Sequence, residues 1–226
     1  LILESPPANP YNPAVPILAH LLTALCAYLC GSIPTGFLVA RAMGVDIRSH
    51  GSGNIGATNV FRILGKGPGI FVLLVDALKG ALPVLFLPAW IGHVSARDAI
   101  PFEMIAALGA VLGHNFTCWL RFRGGKGIAT SAGVLAAMVP IPFLITLGGF
   151  LVTLALTRYV SLASILGAAI LPFAVAWTPP GDRRLVVLTA LLSVLAIVRH
   201  KANISRLLNG TERRIGQPKP SEPAST

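Results

Sequence analysis

Long apolar runs separated by short basic connections leave this chain few ways to fold. The runs cover residues 17–43, 69–91, 99–120, 128–157, 160–177 and 185–198. A helix crosses a bilayer with about 20 predominantly apolar residues. In hydrocarbon the backbone must satisfy its own hydrogen bonds, and a helix does so within one segment. A closed strand barrel would need short alternating segments, and the sequence has none. Composition points the same way. Charged residues are 12% and hydrophobic ones 54%, whereas soluble domains carry roughly 25% charge. Too few polar side chains remain to cover a soluble surface. An ordinary cytosolic enzyme, a disordered regulator and a secreted disulfide scaffold are excluded. The expected fold class is all-α, a polytopic transmembrane helical bundle.

The scarce charge is lopsided, with 18 Lys and Arg against 8 Asp and Glu, a formal net charge of +10. It concentrates in three connections: Arg41, Arg48, Arg62 and Lys66; then Arg121, Arg123 and Lys126; then Arg199, Lys201, Arg206, Arg213, Arg214 and Lys219. The positive-inside rule places all three on the cytoplasmic side. Residues 1–16 hold no Lys or Arg, so the N-terminus is expected outside. With five prolines and no charged n-region, they read as a leader rather than a signal peptide. The membrane domain is expected over 17–216, with a flexible tail over 217–226.

Parity constrains the span count. Three crossings bring the chain to the Arg121–Lys126 connection, and an even number must return it to Arg199. Pro140 and Pro142 interrupt the 128–157 run, and proline breaks helices. Splitting there gives about seven membrane segments, some short. Five full spans with a kinked or re-entrant piece is the alternative. Cys26, Cys30 and Cys118 fit no zinc spacing and are expected as small buried hydrophobes. No repeat or inverted duplication is visible, which disfavours a secondary transporter.

Three polar stretches look chemical. The first runs from Gly51 to Arg62 and contains Ser52, Gly53, Asn54, Gly56, Thr58 and Asn59. Its glycines allow close backbone approach and positive φ, and successive N–H groups can form an anion nest. Arg62 adds a planar cation suited to phosphate. A plain turn with a topology-setting arginine is the structural alternative. The second holds Gly124, Gly125, Lys126 and Gly127 before an apolar helix. A cation and free N–H groups at a helix N-terminus make a phosphate site. The spacing is not that of a Walker A loop, so nucleotide hydrolysis is disfavoured. Positive charge at the membrane edge is its structural alternative. The third continues the last run, with His200, Asn203 and Arg206 on one face and Glu212 beyond. His200 can exchange protons near neutral pH. Glu212, among basic neighbours, is expected to anchor the tail. His50 and His114 are candidate site neighbours; His20 and His93 read as interface residues. Asp76 and Lys79 stand at i and i+3 inside the second run and are expected to pair, although Lys79 could instead reach a ligand.

The Ser52–Arg62, Gly124–Thr130 and His200–Glu212 stretches resemble the three signature motifs of the bacterial acyl-phosphate:glycerol-3-phosphate acyltransferase family (PlsY). Their order and their separation by apolar runs match as well, across roughly residues 17–216. The resemblance implies transfer of a fatty acyl group from acyl phosphate to the sn-1 hydroxyl of glycerol 3-phosphate at the bacterial inner membrane. The products would be 1-acyl-glycerol 3-phosphate and phosphate, and membrane lipid would be the remaining partner. Under it, Ser52 and Asn59 orient substrate or donate to the oxyanion. Thr58, Arg62 and Lys126 bind phosphate, with Gly53, Asn54 and Gly56 in the first cradle. Gly124, Gly125 and Gly127 shape the second cradle. His200 and Asn203 hold glycerol 3-phosphate or its reacting hydroxyl, with Arg206 one turn on. Either His200 or a substrate phosphate is the general base.

Acyl phosphate is already activated, so no enzyme nucleophile is required, and no Gly-x-Ser-x-Gly elbow is present. No carboxylate cluster suits magnesium, so neither a metal nor another cofactor is expected. No nucleic-acid partner is expected, and no oligomeric state is implied. An anion or phosphate-ester transporter and a lipid-binding membrane anchor are the competing functions.

Overall fold

The structure, a computed structural model, describes residues 14–91, 99–179 and 181–217. Among the described residues ten α-helices follow in order: α1 (Ala14–Ser32), α2 (Thr35–Ala42), α3 (Ala57–Leu64), α4 (Lys66–Ile91), α5 (Ile100–Asn115), α6 (Ile128–Met138), α7 (Pro140–Thr157), α8 (Val160–Trp177), α9 (Arg183–Arg199) and α10 (Lys201–Leu208). There is no strand among the described residues. The seven expected apolar segments correspond to α1, α4, α5, α6, α7, α8 and α9. By length and composition four helices among the described residues can cross a membrane, counting α1 and α2 as one. The number is five if α9 and α10, bent by 57°, form one span.

The breaks have local causes. Pro34 cannot donate to the ladder, so α1 stops at Ser32 and α2 starts at Thr35. At the break the Ile33 carbonyl accepts from the Thr35 N–H at 3.0 Å and from the Lys79 ammonium at 2.7 Å. Val139 is pushed to φ −139° before Pro140, as a residue preceding proline should be. This divides the 128–157 run into α6 and α7. The 99–120 run becomes helix only to Asn115, after which a 3₁₀ turn (Cys118–Leu120) leads into the second polar stretch. Of the leader, residues 1–13 lie outside the described residues, as does His93; α1 already begins at Ala14.

Small residues bring the helices together. A β-carbon on Gly31 of α1 would strike the Ala110 carbonyl of α5, and one on Gly113 of α5 would strike the Tyr28 carbonyl of α1. The same reciprocal fit joins α4 to α6 through Gly80 against Thr130 and Gly133 against Ala77. Close backbone approach through small residues is how helices pack where lipid supplies no hydrophobic drive between them. The core is then made of Ala27, Val84, Ala106, Val111, Val134 and Leu188. Large apolar side chains point outward instead: Leu156 is 80% exposed and Trp177 89%, as suits a surface solvated by hydrocarbon. Cys26 is exposed on the same outer surface, and Cys30 and Cys118 are intermediate, correcting the expectation of burial. A thiol is weakly polar enough to sit among outward-facing leucines.

Candidate active site

The first polar stretch is a loop organised by one side chain. Asn59, on the first turn of α3, is buried. Its Oδ1 accepts from the Ser52 N–H at 2.9 Å. Its Nδ2 donates to the carbonyls of His50 at 3.0 Å and Asn54 at 2.9 Å. The Asn54 side chain accepts from the Gly56 N–H at 2.8 Å, closing the turn before α3. Gly53, at φ +68°, lies outside the cavity described below. The Asn59 amide thus holds the loop through its backbone, and Asn59 also lines the cavity described below. The loop lines the cavity with Ser52, Asn54, Gly56, Thr58, Asn59 and Arg62, with Thr58 and Arg62 one turn apart on α3.

The second stretch lies against the end of α5. The Gly124 N–H donates to the Asn115 carbonyl at 3.2 Å and the Gly125 N–H to the His114 carbonyl at 3.0 Å. From the other side Arg199 donates to both glycine carbonyls, at 3.0 Å and 2.7 Å. The amides and carbonyls of Gly124 and Gly125 are therefore engaged within the protein, which fixes the shape of the loop. Their lack of side chains serves packing: a β-carbon on Gly124 would hit the His114 carbonyl, and one on Gly125 the His114 ring. Gly127 turns the chain at φ +79° into α6. The first-turn N–H groups of α6, at Ile128, Ala129 and Thr130, have no carbonyl one turn back. Gly124→Ala should push this loop off α5 and raise KM for the anionic substrate about tenfold or more, since displaced positioning groups cost that much. Steady-state kinetics in detergent beside a thermal melt check it.

The third stretch closes the network. The Lys126 ammonium donates to Asn203 Oδ1. Asn203 Nδ2 donates to Glu212 Oε1 at 2.7 Å, as does the Ser161 hydroxyl at 2.7 Å. Arg206 Nε reaches Glu212 Oε2 at 2.6 Å. Burial raises the Glu212 pKa, but the donors Ser161, Asn203 and Arg206 outweigh it and hold the carboxyl below its ordinary value. Glu212 does anchor the segment after α10, and it is also a wall of the site. The His200 Nδ1 lies 2.7 Å from the Ala196 carbonyl. A carbonyl only accepts, so the proton sits on Nδ1 and the Nε2 lone pair is left over. Burial first, then the Lys126 charge, pushes His200 down to about 4, so the ring is neutral at pH 7.

Ser52, Asn54, Gly56, Thr58, Asn59, Arg62, Lys126, Gly127, His200, Asn203 and Arg206 line one polar cavity of about 290 Å³. Gly53, Gly124 and Gly125 support it from outside. Lys79 does not line it: its ammonium is held by Asp76 at 2.7 Å and the Ile33 carbonyl. His50 turns away to the Asp46 carbonyl and Ser49, and His20 stacks on Phe102. Asp76, His114, Ser161 and Arg213 join the lining. Ser161 carries no signal in sequence, being one serine in an apolar helix. The cavity is cationic: burial lowers the pKa of Arg62, aided by Arg213 and Arg206, and brings Lys126 down to about 8. An apolar cavity of about 720 Å³ adjoins it, walled by residues such as Ile70, Leu73, Phe143, Leu147 and Leu171. Thr58, Arg62, Ile128 and Ser164 belong to both cavities. Among the described residues no group of three His, Cys, Asp or Glu could hold a metal ion.

A cationic pocket opening onto an apolar one suits a phosphate-bearing amphiphile. The profile of the glycerol-3-phosphate acyltransferase family matches residues 21–210. This chain belongs to the glycerol-3-phosphate acyltransferase family. A glycerol-3-phosphate acyltransferase of Geobacter sulfurreducens is 48% identical over 203 residues, covering 88% of this chain and 99% of that protein. One from Trichlorobacter lovleyi is 45% identical over 190 residues, covering 84% and 94%. The crystal structure of PlsY, an integral membrane glycerol 3-phosphate acyltransferase, in its glycerol 3-phosphate form superposes with a TM-score of 0.79 at 38% identity, covering 88% of this chain and 96% of PlsY. Its lysophosphatidic acid form gives 0.77 at 37% identity over the same shares. The acyltransferase fold here is thus that of an integral membrane protein.

Proposed function

We propose that residues 17–216 form a membrane acyltransferase that moves a fatty acyl group from acyl phosphate to the sn-1 hydroxyl of glycerol 3-phosphate. The junction of the two cavities at Thr58 and Arg62 carries this conclusion. The acyl chain lies in the apolar cavity while its phosphate meets Arg62 at the boundary. Glycerol 3-phosphate occupies the polar cavity, its phosphate held by Lys126 and the N-terminus of α6. Two anions in one small site repel each other, and Arg62, Lys126 and Arg206 offset that repulsion. The clustering of basic connections favours a site facing the cytoplasm of a bacterial inner membrane.

The hydroxyl oxygen attacks the acyl carbon, and the bond from that carbon to the bridging phosphate oxygen breaks. The hydroxyl proton ends on the departing phosphate, so atoms and charge balance without an enzyme base. The neutral His200 accepts a hydrogen bond from the hydroxyl through Nε2 and orients it. Ser52 and the first turn of α6 donate to the developing oxyanion. Positioning and charge stabilisation are the main catalytic terms.

Incubating purified protein with acyl phosphate and labelled glycerol 3-phosphate should yield lysophosphatidate and phosphate in equal amounts. Uptake of labelled ester into vesicles without product would overturn this in favour of a transporter. His200→Asn should lower kcat by about tenfold, the value of one lost hydrogen bond, with binding intact. Complete loss of turnover with intact binding would make the histidine the base.

A further inference from the structure

The polar cavity has a floor that the reaction does not use. Asp76 on α4 and His114 on α5 are both almost fully buried and both line it. His114 Nδ1 lies 3.8 Å from Asp76 Oδ1 and has no hydrogen-bond partner. Asp76 is paired with Lys79 at 2.7 Å, and Lys79 is tied to the Ile33 carbonyl at the break between α1 and α2. The buried carboxylate is therefore neutralised from beneath by Lys79, leaving the Lys126 charge for ligand. The other edge of the imidazole meets Gly125, whose N–H donates to the His114 carbonyl at 3.0 Å.

We propose that His114, seated on Asp76, is a positioning residue that beds the 124–127 loop and thereby aims the Lys126 ammonium into the polar cavity. The loop is clamped from two sides. Arg199 of α9 grips its carbonyls, and His114 of α5 takes its amide and its Cα face. With the ring gone, the space under Gly125 is empty and the support of its Cα face is lost, while the backbone bonds to α5 alone remain on that side. Lys126 then loses its register with Asn203. The charged and titratable groups around the ammonium, namely Glu212, Arg206, Arg62, Arg199 and His200, stay in place. Its burial and its bond to Asn203 change.

The test has two arms. In the first, Lys126 is labelled with brief pulses of acetic anhydride across pH in the full-length protein and read by mass spectrometry. Wild type should label with a midpoint near 8. His114→Ala should move that midpoint up toward about 10, the ordinary lysine value, and His114→Gln should restore most of the shift. The second arm is a double-mutant cycle on kcat/KM for glycerol 3-phosphate and rests on the acyltransferase assignment above. His114→Ala alone should cost about 30-fold, mostly in KM, and under threefold in the Lys126→Met background, because coupled residues are not additive. An unmoved labelling midpoint in folded His114→Ala, or additive penalties, overturns the proposal. If His114→Ala does not fold, Asp76→Asn takes its place with the same two readouts. Absence of product from wild type would instead defeat the acyltransferase assignment while the labelling arm still decides on His114.

Discussion

Arg62→Ala should lower kcat/KM for the acyl donor about a thousandfold, because truncating one partner of a buried charge contact costs 2–5 kcal/mol and each 1.36 kcal/mol is tenfold. Arg62 stands on α3 where both cavities meet. A phosphate carried by a chain in the apolar cavity must cross that boundary. Half-buried near Arg206 and Arg213, Arg62 carries a desolvation cost that the Glu212 carboxylate offsets in part and an arriving anion would relieve further. Arg62→Lys should recover part of the loss, since an ammonium keeps the charge but loses the two-pronged guanidinium geometry. Steady-state kinetics with a thermal melt in detergent separate this from misfolding. An Arg62→Ala protein with more than a tenth of wild-type kcat/KM would displace the acyl phosphate from this junction.

Lys126→Met should produce a second loss of similar size and, with it, remove a pH limb. The wild-type ammonium titrates near 8, burial being the main cause. It is a cation below that pH and neutral above it. Anion binding is thus present below 8, and kcat/KM for glycerol 3-phosphate should fall as pH rises through it. In Lys126→Met that alkaline limb should vanish from whatever activity remains. The stability sign is opposite. A lysine whose folded pKa is depressed binds fewer protons than in the unfolded chain between 8 and its ordinary value, so stability rises with pH across that window. A profile that falls while the fold gains stability could not come from unfolding. A limb that persists in Lys126→Met would assign the titration elsewhere.

Glu212 shows where sequence reasoning reached and where it stopped. Its acidity among basic neighbours was enough to read a tail anchor. That its carboxylate gathers Ser161, Asn203 and Arg206 follows only from α8 and α10 meeting. Asn59 shows the converse. Asparagine beside glycines is compatible with a ligand donor, and only the folded loop spends that amide on Ser52, His50 and Asn54.

The sequence by itself determined the all-helical membrane class, the break at Pro140, the pairing of Asp76 with Lys79 and the three polar stretches whose members line the cavity. Those follow from near-neighbour rules: apolar length against bilayer thickness, the missing proline N–H, and the cost of a lone intramembrane charge. Tertiary structure decided which members of each stretch face a common cavity, and that Gly124 and Gly125 pack their backbone against the end of α5. It also placed the apolar cavity beside Arg62. Such contacts join residues far apart in the chain, Lys126 and Asn203 being 77 positions apart, and depend on how closely glycine lets one helix approach another. No local pattern encodes that distance.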